Sequence, residues 1–239
     1  GGSGMMIDHG TVAVCDMPAL ERTGETVHRP GGRLLVVGTD GYAGTKRAGL
    51  PTLRHADSEA RELAAVWPAD QVTLRVGESA ARTLKENAGL RSFQAIHVAS
   101  HARVFTGQSD QTMLLLAGDE GEALTAKRIQ QLDLDAELVF LSCCEAGDGR
   151  DTRAGYAGLA RSSIDAGARS VVAPLTVIDD EAAKVLATRF YSHFLSGSSV
   201  PDALRAAQLD LRDGAAQWAH PFYWAFHQPF VAQLSAAEH

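Results

Sequence analysis

The hydrophobic pattern of this chain alternates between short apolar runs and longer stretches with helical spacing. Apolar runs that predict strands lie at residues 33–38, 72–76, 93–100, 112–117, 138–141 and 170–173. Stretches with helical spacing and helix start or stop signals lie between and after them, at residues 57–67, 78–88, 126–132, 156–166, 179–195 and 201–212. Strands that alternate with helices are typical of a mainly parallel sheet with helices on its faces. We therefore expect an α/β fold.

The two ends of the chain carry weaker patterns. Residues 1–4 are Gly-Gly-Ser-Gly and look like the remnant of a tag or linker, as in a piece of a longer protein. Residues 5–31 are broken up by prolines and glycines and predict an N-terminal arm or a peripheral strand. Residues 32–231 carry the alternating pattern and predict one domain. Residues 232–239 predict a C-terminal tail.

Composition narrows the classes of function. The chain has 239 residues, of which 45% are hydrophobic and 21% charged, enough to bury a sizeable core. The net charge of −7 and the scattered Lys and Arg residues argue against a nucleic-acid partner. Three cysteines do not make a disulfide framework, which favours the cytoplasm as the location. No apolar run approaches the length of a membrane span, so we expect no membrane partner.

The apolar run at residues 138–141 ends in two cysteines, Cys143 and Cys144, followed by Glu145. This abrupt change predicts that the chain leaves the sheet at the cysteines. Ligands bind outside the carboxyl ends of parallel strands, so a thiol at this point suits a nucleophile. Free cysteine is more often a small buried hydrophobe. If the strand alternation continues, the two sulfurs face opposite ways, and spacing alone does not choose between them.

The run at residues 93–100 ends in the same way, with His101 at its carboxyl end. If the two strands are parallel neighbours, an imidazole and a thiol meet at one rim of the sheet. A nearby imidazolium lowers the pKa of a thiol and so favours the nucleophilic thiolate. We expect His101, which follows the apolar run, to be exposed. His97, between two apolar residues, is expected to be a hydrogen-bonded core histidine.

A metal site at these histidines is disfavoured. His97 and His101 are four residues apart and share a face, as two metal ligands would. The flanking sequence is strand-like, however, and it lacks the glutamate that the helical zinc motif of metalloproteases contains. We expect neither a metal nor a cofactor.

Seven short segments carry a family resemblance in the order in which they occur. They are Ile96-His-Val-Ala-Ser-His101, Met113-Leu-Leu-Leu-Ala117 with Leu124-Thr-Ala126, Leu141-Ser-Cys-Cys-Glu-Ala-Gly147, Ala166-Gly-Ala-Arg-Ser-Val-Val172, Val177-Ile-Asp-Asp180, Ala203-Leu-Arg-Ala-Ala-Gln208 and His220-Pro-Phe-Tyr-Trp224. This set resembles the CHAT family of cysteine peptidases, which is related to separase and the caspases. The resemblance spans residues 32–230 and implies a caspase-like three-layer α/β/α sandwich with a mainly parallel central sheet.

The resemblance also implies a chemistry. It identifies Cys144 as the nucleophile and His101 as the catalytic base of a cysteine endopeptidase. The backbone N–H groups of Ala102 and Cys144 would bind the oxyanion. The family usually has glycine where this chain has Ala102, and alanine resists a positive φ angle.

The resemblance also implies that one turn of the chain recognises the substrate. Asp179 and Asp180 lie where separase-like relatives build the first specificity pocket, and an acid there would favour Arg or Lys before the cut. The alternative is that these acids only cap a helix. Lys184, one helical turn after Asp180, would either neutralise that acid or itself favour an acidic residue.

By resemblance, the substrate is one partner protein, cleaved in a regulated bacterial defence or cell-death pathway that includes a regulatory or sensor protein. The alternative is a catalytically silent CHAT-fold interaction module. The intact His101 and Cys144 argue against that alternative, and Ala102 argues mildly for it. The polar loop at residues 147–155, beside the nucleophile, is a candidate for self-cleavage.

Overall fold

The computed structural model describes residues 32–39, 56–105, 108–116, 123–145 and 153–232, without the side chains of Ser109, Cys144 and Glu145. The strands are β1 (Arg33–Gly38), β2 (Val72–Val76), β3 (Phe93–Arg103), β4 (Met113–Leu115), β5 (Ala123–Thr125), β6 (Leu138–Glu145), β7 (Ser170–Pro174) and β8 (His227–Val231). The helices are α1 (Ala56–Val66), α2 (Glu78–Glu86), α3 (Ala126–Ile129), α4 (Arg153–Asp165), α5 (Asp180–Leu195) and α6 (Val200–Gly214). The predicted arm, and most of the predicted tail and of the loop at 147–155, lie outside the described residues.

The eight described strands form one sheet, in which six strands follow the order β2-β1-β3-β6-β7-β8. The first five of these pair in parallel, and β8 closes the edge antiparallel to β7. The short strands β4 and β5 form an antiparallel pair that joins the carboxyl end of β3. The two strands that carry the candidate dyad, β3 and β6, are therefore parallel neighbours, as the sequence predicts.

Helices cover both faces of the sheet. One core lies between the sheet and α2, α3 and α4, and it contains Val98 of β3 and Leu141 of β6. The second core lies between the sheet and α1, α5 and α6, and it contains Phe140 of β6. Because successive strand residues face opposite sides, strands buried on both faces are apolar at nearly every position. The predicted three-layer α/β/α architecture is confirmed.

Both site strands run further than the sequence predicts. β3 continues to Arg103 instead of ending at Ser100, and β6 continues through both cysteines to Glu145. The prediction that the chain leaves the sheet at the cysteines is therefore wrong. The reason is tertiary: β1 pairs with β3 as far as Ala99, and β4 then takes its place beside β3. The end of β3 therefore has a neighbour on both sides, and its polar residues remain extended because their backbone groups find partners, while the end of β6 pairs with β3.

Two glycines give a matched test of backbone strain. Gly167 precedes β7 with φ +113°, and a Cβ there would lie 2.2 Å from the carbonyl oxygen of Leu134. Gly197 follows α5 with φ +98°, and a Cβ there would meet nothing within 4 Å. Gly197→Ala is expected to lower the free energy of unfolding by about 1 kcal/mol, the cost of the left-handed backbone alone. Gly167→Ala adds a backbone clash and is expected to cost about 3 kcal/mol.

Urea denaturation of the two variants would measure the difference. Equal losses would mean that the turn before β7 yields to the added methyl group, and would contradict the close approach of residues 134 and 167.

Candidate active site

The register of β3 and β6 brings the two candidate catalytic positions together. His101 is paired with Cys144, and the next residues, Ala102 and Glu145, are paired in turn. Neighbouring strands lie about 4.8 Å apart, and paired residues of parallel strands belong to the same face. Position 144 is defined by its backbone, because its side chain lies outside the described part of the chain. The backbone alone sets positions 101 and 144 side by side at the carboxyl ends of two strands.

His101 is buried, with 2% of its surface exposed, so the prediction that it is exposed is wrong. The physical reason is the extension of β3, which sets His101 between Leu115 of β4 and position 144 of β6. The Nδ1 atom of its ring is also buried. Removal from water strengthens the electrostatic interaction between an imidazole and any charge beside it.

The structure separates the two cysteines. Cys143 is fully buried in the core under α4, with its sulfur 3.9 Å from the carbonyl oxygen of Val98. The hydroxyl of Tyr156 donates to the carbonyl oxygen of Cys143 at 3.3 Å. Because neighbouring strand residues alternate between faces, position 144 belongs to the opposite face, with position 101. The register therefore brings Cys144, and not Cys143, together with His101.

Ala102 lies inside β3 between Leu114 of β4 and Glu145 of β6, and its side chain is fully buried. Among the described residues other than glycine, only Asn87 has a positive φ angle. Alanine in place of the family's glycine therefore introduces no left-handed strain at this position. The oxyanion role of the Ala102 and Cys144 N–H groups stays a prediction.

The three candidate substrate-binding residues lie at the start of α5, after the carboxyl end of β7. Asp179 caps the helix, since its Oδ1 atom accepts the N–H of Ala182 at 2.9 Å. Asp180 is half-buried. The Nζ atom of Lys184 lies 3.1 Å from a carboxyl oxygen of Glu62 on α1. The contact of Asp179 fits the helix-cap interpretation, and a substrate-binding role for Asp179, Asp180 and Lys184 stays a prediction.

A buried polar cluster lies on the dyad's face of the sheet, closer to the amino ends of the two strands. The Oε1 atom of Glu59 on α1 is 3.0 Å from Nε2 of His97, and its Oε2 atom accepts the hydroxyl of Ser142 at 3.2 Å. The Nδ1 atom of His97 lies 3.3 Å from the hydroxyl of Tyr191 on α5. The contact between Glu59 and His97 has the distance of an ion pair without the alignment of a hydrogen bond. The cluster joins two helices to both site strands.

Burial shapes the chemistry of this cluster. The side chains of His97 and Glu59 are 0% and 2% exposed. Burial, and secondly the carboxyl group of Glu59, raise the pKa of Tyr191 well above its ordinary value, so its hydroxyl keeps its proton. His97 is a hydrogen-bonded core histidine, as the sequence predicts. The buried Glu59 is not predicted, although Leu63 and Trp67 follow it at helical spacing on the buried side of α1.

Among the described residues, one cavity lies away from the dyad, and there is neither a metal-binding cluster nor a membrane-spanning helix. A small apolar cavity of about 20 Å³ is lined by Val98, Leu141 and their neighbours, and so lies on the opposite face of the sheet from position 144. In the part of the chain that the structure describes, no three His, Cys, Asp or Glu side chains are grouped to hold a metal ion. None of the described helices is long and apolar enough to cross a membrane.

Comparison with known proteins bears on the whole chain. The family model described as the CHAT domain matches residues 3–232, a span that includes all the strands and helices above. A search of curated proteins gave no match.

Proposed function

This chain belongs to the CHAT domain family, the caspase-like family of clan CD peptidases, and from that premise we propose that it is a cysteine endopeptidase whose dyad is His101 and Cys144. Family membership by itself supports a caspase-like, protease-type function. The observation that carries the assignment of residues is the parallel register, in which positions 101 and 144 are paired at the carboxyl ends of β3 and β6. Ligands bind at such strand ends in open α/β sheets.

In the proposed mechanism, His101 takes the proton of the Cys144 thiol and stabilises the thiolate as an imidazolium. The sulfur attacks the scissile carbonyl carbon, and the N–H group of Cys144, with that of Ala102 once it is released from its pairing with the neighbouring strands, receives the developing negative charge. Removing one such donor typically costs about 3 kcal/mol of transition-state stabilisation. His101 then protonates the leaving amine as the C–N bond breaks. Water hydrolyses the thioester and restores the thiol.

The proposed substrate is a partner protein that presents one loop to the site. The turn before α5 is the proposed first specificity pocket, because it follows β7, the strand beside β6. Asp179 accepts a backbone N–H, Lys184 contacts Glu62 and Asp180 is half-buried, and all three stay candidates for contact with substrate. An acid in the pocket favours Arg or Lys before the cut.

The wider context of the proposal is supported by the family resemblance alone. It is a cytoplasmic, regulated bacterial defence or cell-death pathway, in which a regulatory or sensor protein controls the peptidase. The loop at residues 147–155 is a candidate for self-cleavage in that setting, and unchanged mass after long incubation of active protein would contradict it.

A peptide library that varies the residue before the cut tests the proposed function. We expect cleavage after one class of residue, Arg or Lys if Asp180 lines the pocket, and capture of Cys144 by an acyl-type covalent probe built on the best peptide. Absence of both cleavage and labelling, with a panel of library peptides and probes, would contradict the peptidase and favour the silent interaction module.

A further inference from the structure

Glu59 contacts both strands of the dyad at once. Its carboxyl group meets His97 of β3 through one oxygen and Ser142 of β6 through the other. Ser142 is two residues before Cys144, and His97 is four residues before His101, so all four positions belong to one face of the sheet. At about 3.3 Å per residue, the Ser142 and His97 positions lie roughly 7 and 13 Å from the dyad along their strands.

We propose that Glu59 is a positioning residue, which ties β3 to β6 just inside the His101–Cys144 pair and so fixes the separation and level of the two catalytic positions. The inference rests on the proposed function, because the separation of the two positions matters only if they react together. Glu59 contacts the two strands at His97 and Ser142, which precede the dyad positions along their strands. Its effect reaches the dyad through the two strands.

Stability alone is a poor explanation for a carboxyl group at this place. Burying a carboxyl group costs several kcal/mol before its partners compensate, and well-packed apolar side chains are often at least as stable. The hydrogen bond from Ser142 has a narrow range of length and angle, and the contact with His97 a narrow range of length, which apolar contacts lack. A carboxyl group that contacts each strand through one oxygen therefore limits how far the two strands can shift along each other.

Two substitutions at position 59 distinguish the effect of side-chain length from the effect of side-chain charge. Glu59→Asp keeps the ionisable carboxyl group but shortens the side chain by one methylene, so that it no longer spans both strands. Glu59→Gln keeps the length and an oxygen that accepts the hydroxyl of Ser142. Positioning predicts the larger loss for Glu59→Asp, about 30-fold in kcat with little change in KM, and a loss of about 3-fold for Glu59→Gln. A larger loss for Glu59→Gln would assign the effect to charge and overturn the proposal.

A serine pair supplies the matched control. Ser142→Ala removes the link from Glu59 to β6 and leaves the contact with His97, and it is expected to lower kcat about tenfold. Ser163 is also buried, on the opposite side of the sheet, where its hydroxyl donates to the carbonyl oxygen of Leu159 within α4. Ser163→Ala is expected to leave kcat unchanged. Equal kcat values for Ser142→Ala and wild type would overturn the proposal even if Glu59→Asp failed to fold.

Alkylation of Cys144 by iodoacetamide provides a readout that needs no substrate. The rate is followed by mass spectrometry of the peptide that contains Cys144, between pH 5 and 9, for folded wild type, His101→Gln, Glu59→Asp and Ser142→Ala. In wild type we expect a fast component below pH 7 that His101→Gln removes, since that component reports the imidazolium-stabilised thiolate. Glu59→Asp and Ser142→Ala are expected to slow it at least about fivefold.

The outcomes of this assay separate the two proposals. No fast component in wild type would contradict the dyad itself, and with it the proposed function. A fast component that depends on His101 but is unchanged in Glu59→Asp and Ser142→Ala would overturn the positioning role alone. Near-ultraviolet circular dichroism of each variant establishes that the protein compared is folded.

Discussion

Replacing Cys144 with alanine is expected to lower kcat/KM for peptide cleavage by at least about 10³-fold, because the acyl-enzyme can no longer form. The same change is expected to abolish labelling by the acyl-type probe. Cys143→Ala is the matched control, since Cys143 is buried in the core on the other face of the sheet. It removes a small buried group, which costs about 1 kcal/mol of stability, and most of the activity is expected to remain.

Intact-mass analysis of probe adducts and kcat/KM for the best library peptide would compare the two variants. Probe labelling that survives Cys144→Ala but is lost in Cys143→Ala would mean that the faces of β6 are exchanged at its carboxyl end. That result would leave the peptidase in place but move its nucleophile, and it would contradict the register between β3 and β6.

The fold could be predicted because short stretches of the sequence indicate most of its strands and helices. The runs that form β1, β2, β3, β6 and β7 are mostly apolar, and helical patterns separate them at lengths that suit parallel crossovers. The ends of β3 and β6 could not be predicted from such runs. His101 and Cys144 are polar or small, and they remain in the sheet because β4, the short strand that follows β3 along the chain, pairs with the end of β3 and because the ends of β3 and β6 pair with each other. β8 was also missed, since it is short and contains Pro229.

The candidate site, like the fold, could be predicted from the sequence only in part. The pairing of His101 with Cys144 followed from two strands that end alike, and the choice of Cys144 over Cys143 came from the family resemblance. The burial of His101 and the contacts of Glu59 depend on how β4 and α1 pack, which no window of sequence reveals. Glu59 looks like an ordinary acid in a first helical turn, where acids are common at helix starts. Only its spacing from Leu63 and Trp67 distinguishes it.

A third buried histidine makes the fold sensitive to acid. His227 on β8 is 1% exposed, and its ring centre lies 5.9 Å from that of Phe140, which in turn stacks on His97. Neither of its ring nitrogens has a hydrogen-bond partner among the described residues. Burial, and secondly the charge of His97, lower the pKa of His227 to about 4. The folded protein therefore binds this proton more weakly than the unfolded chain, where the pKa is about 6.5.

This difference predicts how stability depends on pH. The contribution of His227 is fully present above about pH 6.5 and is lost as the pH falls towards 4, by about 1.4 kcal/mol per pH unit and about 3 kcal/mol in all. His227→Leu removes the proton site and two unpaired nitrogens, so urea denaturation is expected to show a flatter profile between pH 6.5 and 4, with higher stability at pH 5. Phe230→Leu, on the same strand as His227, changes no ionisable group and is the control, so it should keep the wild-type slope through this window. An unchanged slope in His227→Leu would assign the acid sensitivity to another group.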